Sequence, residues 1–116
     1  MIGTAVLAEA RIMIGDIATE EANRRQPVAN MVKYLNNAIQ DLLMRRPELA
    51  LADDGTLTAF TELTTTTVSS QALPVDEDYR EALAHNIAAQ IFQIDANDEH
   101  NAQQALSHEQ VYLSLI

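Results

Sequence analysis

The chain has 116 residues, 47% of them apolar, with seven basic and seventeen acidic side chains, a formal net charge of -10 and no cysteine. That length suits one soluble domain whose core closes without disulfide or metal, and the missing thiols exclude thiolate catalysis and every zinc site built on sulfur. So large an acidic surplus argues against nucleic-acid binding and against anionic membrane surfaces, since both need Lys and Arg at the contact.

The first residues, Met1 to Glu9, carry no basic leader and read as neither a signal peptide nor, with Ile2 in second place, a myristoylation site. Gly3, Gly15 and Gly55 are too few and too scattered for a phosphate-cradling loop, and GxSxG and HExxH are absent. The expectation is a domain that is not an enzyme. The charge is divided: residues 1–46 hold six bases and five acids, net +1, whereas residues 47–116 hold one base, Arg80, and twelve acids, net -11. Such asymmetry predicts two unlike surfaces, one offering arginine and one repelling polyanions.

In chain order, Val6, Ala10, Met13, Ile14 and Ile17 recur at helical spacing and predict a first helix over 4–16, with Gly15 near its end. Residues 17–26 read as a polar loop. Pro27 stands where a first helical residue belongs, and Val28, Met31, Val32, Leu35, Ile39, Leu42 and Leu43 form one apolar stripe through a second helix, 27–46. Arg45 and Arg46 suit its negative end, and Pro47 stops it.

Between Asp53 and Pro74 threonines dominate. Their β-branched side chains favour extended chain, and a paired arm or hairpin over about 55–73, with strands near 56–63 and 67–73, is the expectation. Thr58, Phe60 and Leu63 are its candidate contact residues. A two-stranded hairpin alone is marginal in water, so the arm should lean on a neighbouring subunit or partner by edge pairing. Asp76, Glu77 and Asp78 then open a third helix, 76–94, with Asp78 and Glu81 at capping-box spacing and Tyr79, Leu83, Ile87, Ile91 and Ile94 on its core face. After a polar turn, a fourth helix over 98–114 places Ala102, Ala105, Leu106, Tyr112, Leu113 and Ile116 on an apolar face. The expected fold is therefore mainly α, a small four-helix domain with an extended arm between the second and third helices.

The run Asp95-Ala96-Asn97-Asp98-Glu99-His100-Asn101 spaces oxygen ligands like the start of a calcium loop. His100 stands where that loop needs glycine and Leu106 where it needs glutamate, so a capped turn is the reading. His100 and His108 lie two helical turns apart with no carboxylate completing a three-ligand face, which leaves no metal, cofactor or catalytic residues to nominate. Arg45-Arg46 serves helix capping or a partner equally well. Arg24-Arg25, in a loop with no dipole to explain it, leans toward an interface, and the terminal Leu113, Leu115 and Ile116 suit internal packing or a partner, Leu115 and Ile116 being candidate contacts.

Taken together, the Tyr34-Leu35-Asn36 step, Arg45-Arg46-Pro47, the threonine-rich segment closing on Leu73-Pro74, the Tyr79-centred helix, the Asp95-to-Asn101 turn and a short last helix with Tyr112 resemble the head-to-tail adaptor (connector) proteins of tailed bacteriophages. The resemblance spans nearly the whole chain and rests on order and spacing, since none of these motifs is specific alone; Pro27-Val28-Ala29 departs from it where relatives often carry an aromatic. It implies a structural virion protein at the head-tail junction, present in host cytoplasm during assembly. Copies of it would form a twelvefold ring between the portal protein and a tail or nozzle protein, with the genome passing through the channel. The rival reading is a small acidic cytoplasmic interaction or regulatory module without catalytic activity. The two differ in the arm, which should reach an adjacent chain in a connector and fold back on its own helices in a regulatory module.

Overall fold

The first helix, α1, runs Gly3–Ile14 and buries Val6, Leu7 and Ala10 on one side. It ends because Gly15 turns left-handed at φ 73, a conformation that costs glycine little; the Gly15 N–H then donates to Ile12 O at 3.1 Å and the Asp16 N–H to Arg11 O at 2.9 Å. These coordinates are a computed structural model that describes residues 1–94 and 97–116. α2, Val28–Arg45, buries Met31, Val32, Leu35, Ala38, Ile39 and Leu42, the predicted stripe, together with the amide of Asn36. Pro27 is extended and sits just before the helix instead of inside it; the Val28 N–H is satisfied by the Glu21 carboxylate at 2.8 Å.

α3, Arg80–Ile94, follows a short 3-10 turn at Glu77–Tyr79, and its buried residues include Leu83 and Ile87. The cap differs from the expected box: Asp76, not Asp78, takes up the free N–H of Asp78, at 3.0 Å. α4, Glu99–Leu115, is capped by Asp98, which accepts from the His100 N–H at 2.8 Å. Of the calcium-like run, Asp95 and Ala96 lie outside the described residues. Among the described residues no three metal-ligating side chains converge, and no helix is long and apolar enough to cross a membrane.

α1, α2 and α3 surround the core, and α4 lies mainly along α3. The expected faces hold on α2 and drift on α3 and α4: Ile94 is 64% exposed and Leu106 is 56% exposed, while α4 buries only Ala105 and Tyr112. The reason is visible in the packing. The inward face of α4 runs through Ala105, His108 and Tyr112; the first and last belong to the predicted face, whereas Leu106 and Leu113, one position on from each, are exposed.

No strand forms among the described residues, so the predicted hairpin at 55–73 is not present. Two isolated antiparallel bridges stand in its place, Leu51 with Leu57 and Ile2 with Ala72. Side chains have taken the bonds that a ladder would use. Asn36 of α2 reaches Leu63 with both ends of its amide, donating to Leu63 O at 3.0 Å and accepting from Leu63 N at 2.9 Å. Thr64 and Thr67 cross-bond, each hydroxyl accepting from the other's N–H, and this folds the chain into a 3-10 turn at Thr67–Ser69. Val68 then enters the core beside Gly3, and Leu63, Leu73 and Val75 join it.

Candidate interaction surface

The predicted contact residues fall in three places, and the structure gives most of their polar groups partners within the chain. Arg24 and Arg25 belong to a loop built around Asp16. That carboxylate, 3% exposed, accepts from Arg11 Nη1 at 2.8 Å, from Arg25 N at 2.9 Å and from Gln26 N at 2.9 Å. Burial alone would raise its pKa; the two backbone donors and the charges of Arg11 and Arg25 outweigh that and hold it below the usual carboxylate range. The Arg25 guanidinium donates to Ile14 O at 2.7 Å, and Arg24 donates to Ala18 O at 2.8 Å and to Glu21 at 3.0 Å. Both arginines thus close the α1–α2 connection.

At the other end of α2, Arg45 pairs with Asp41 at 2.9 Å, while Arg46 pairs with Glu48 and donates to the main-chain oxygen of Ile116 at 2.5 Å. Ile116 packs on the core and Leu115 is exposed. Arg80 is held by Glu9 at 3.2 Å and Glu77 at 2.6 Å. Asp53, Asp78 and Glu99, in contrast, are exposed with no cation at salt-bridge distance among the described residues. Because most arginines are engaged internally, the charge left for a partner is largely negative.

The arm divides in two. Residues 63–73 fold back on the helices, with Leu63 and Val68 buried. Residues 51–59 are exposed throughout, Leu57 to 68%, and the chain continues without regular secondary structure through Phe60, whose ring packs partly on the core, to Leu63. Thr58 N donates to Ala50 O at 2.8 Å, but among the described residues the N–H groups of Ala59, Phe60, Thr61 and Glu62 have no partner within the chain. In a strand such donors alternate in direction, Ala59 with Thr61 and Phe60 with Glu62, so either side offers two on which another strand can pair.

One feature escaped the sequence reading. A groove of 360 Å³ between α2, α3 and α4 is lined by the amides of Asn37, Asn86, Gln90 and Gln93, with Tyr112 and Asp41 at its side. Tyr112 donates to Asp41 at 2.7 Å; burial first, then that carboxylate, raises its pKa. These amides are spread along two helices and share no local motif, so only the packing of α2 on α3 brings them together. Many of their groups already bond one another, as where Gln90 donates to Asn86 at 2.7 Å and to Tyr34 O at 2.9 Å. The fold is thus a small all-α domain of four helices with a polar groove and an exposed segment, 51–59, between α2 and α3. Comparison with protein-family models, curated proteins and solved structures finds no match.

Proposed function

We propose that this chain is a non-enzymatic structural subunit, the head-to-tail adaptor of a tailed bacteriophage, forming a ring between the portal and the tail or nozzle protein. The observation that carries the reading is the run of backbone N–H groups without a partner at residues 59–62, in the segment between α2 and α3. A run of this kind gains its missing hydrogen bonds from an adjacent copy in a closed ring, where each subunit donates one surface and accepts with another. The negative surface supports the rest: neighbours with basic patches are its partners, and DNA phosphates passing beside it are repelled. The twelvefold order and the virion location come from the resemblance alone.

A specific observation favours the second reading, a small acidic interaction or regulatory module. Residues 63–73 fold back onto their own helices, burying Leu63, Val68 and Leu73, as such a module requires. The test must leave that buried half intact, which deleting residues 56–70 would not. Proline at positions 59 and 61 (Ala59→Pro with Thr61→Pro) removes two N–H donors that have no partner in the single chain. The expected outcome is an unchanged helical circular-dichroism spectrum together with loss of ring particles, as seen by electron microscopy of the protein mixed with a purified portal ring. Undiminished rings from the folded proline variant, or no rings from the wild-type chain under any mixture, would sink the adaptor reading.

A further inference from the structure

We propose that the contact between His85 of α3 and His108 of α4 is an acid-sensitive clasp that holds α4 on the bundle at neutral pH and releases it when both imidazoles are protonated. The two Nδ1 atoms are 2.8 Å apart, and the rings lie at 5.1 Å between centroids and 37° between planes. One nitrogen must donate and the other must accept, so at least one ring is neutral in the bonded state. Phe92 of α3 stacks on His108 at 5.6 Å and 3°, which fixes the His108 ring against α3.

The charges around the pair decide how it titrates. Glu81, on α3, stands 3.7 Å from His85 Nε2. On α1, Glu9 is engaged by Arg80; on α2, Asp41 and Arg45 engage each other; on α4, Glu109 lines the polar groove with Arg45. Glu81 is therefore the carboxylate nearest the clasp. A single proton added to the pair leaves one Nδ1 as an acceptor, so the bond survives it; with both rings protonated, two cations meet at contact distance with no lone pair between them. Burial and then the neighbouring His85 hold the His108 pKa below the ordinary histidine value, which places the release on the acid side of that value.

α4 is also held by its packing along α3, by the buried Ala105 and Tyr112 and by the Tyr112 bond to Asp41; the clasp acts on the turn between those two anchors. The property belongs to the single chain and stands whether or not the chain forms a ring.

The experiment is amide hydrogen exchange on the wild-type protein and on His108→Gln, at pH 7.5 and pH 4.5, with rates corrected for intrinsic exchange. The expected result for wild type is a roughly tenfold loss of protection in α4 at the lower pH with α2 protection retained, the change one uncompensated proton carries per pH unit. His108→Gln should show no such pH-dependent loss. Equal α4 protection at both pH values in wild type overturns the proposal, as does an equal loss in the glutamine variant. Should that variant not fold, the wild-type imidazole resonances decide: His108 titrating below the ordinary value together with shifts in α4 amides supports the clasp. His108 titrating at or above that value, or with α4 amides unmoved, refutes it.

Discussion

Replacing Asn36 by alanine tests the explanation for the missing hairpin. The Asn36 amide is 8% exposed and makes two hydrogen bonds, at 3.0 and 2.9 Å, to the carbonyl and N–H of Leu63, itself 4% exposed. Alanine leaves both Leu63 groups without a partner. An orphaned buried polar group costs about 1–3 kcal/mol. A shallow pocket bordered by Asn36, Leu63 and Thr64 can admit water to part of the gap, which puts the expected loss for the pair near ~2–3 kcal/mol. For a domain of this length that lowers the melting temperature by roughly 8–12 °C. Thermal and urea unfolding followed by circular dichroism measure the loss, and hydrogen exchange at Leu63 and Val68 shows whether the arm has lifted while the helices persist. A change under about 0.5 kcal/mol, within the range of an ordinary surface substitution, would mean that the arm is held by its apolar anchors and that Asn36 is incidental.

Two further substitutions probe other joints. Asp16→Asn should cost about 3 kcal/mol, because it leaves the buried Arg11 guanidinium without its counter-charge and sets the new NH2 against one of the two backbone donors. The folded-state pKa of Asp16 lies below its unfolded value of 3.8, so its contribution is complete above that pH and is lost as the pH falls through the folded value. Urea unfolding between pH 2.5 and 5 should show the wild-type advantage over the asparagine variant shrinking below about pH 4; a constant gap would refute the role given to the carboxylate. Gly3→Ala should destabilise by about 1–2 kcal/mol despite alanine's better helix propensity, because the new Cβ would lie 2.6 Å from Val68 Cγ2 and 2.9 Å from Leu35 Cδ2. Combining it with Val68→Ala should recover part of the Gly3→Ala loss in thermal unfolding, and a stabilised Gly3→Ala protein would contradict the close approach.

The helices were legible because their information is local and periodic. Val28 through Leu42 repeats with the pitch of the helix it forms, and Gly15 and Pro47 mark ends by the backbone conformations they permit or forbid. The threonine segment misled for an equally physical reason. β-branching favours extended chain, but no strand forms between Leu57 and Leu73, and propensity carries no information about which group will satisfy the backbone. That was settled by Asn36, 27 positions upstream of Leu63, and by hydroxyls that bond within one turn. The same limit applies at the candidate surfaces. Arg24 and Arg25 read as free charge because their acceptors, the Ala18 carbonyl and Glu21 carboxylate for one and the Ile14 carbonyl at the end of α1 for the other, come within reach only when the loop closes around Asp16. His108 read as a polar position because its partner, His85, is 23 residues away on another helix. Polar side chains that face inward toward partners distant in sequence are what a reading based on hydropathy and spacing passes over. In this chain they join the arm to α2, α1 to α2 and α4 to α3, so the sites where the domain can be loosened are those at which periodicity is silent.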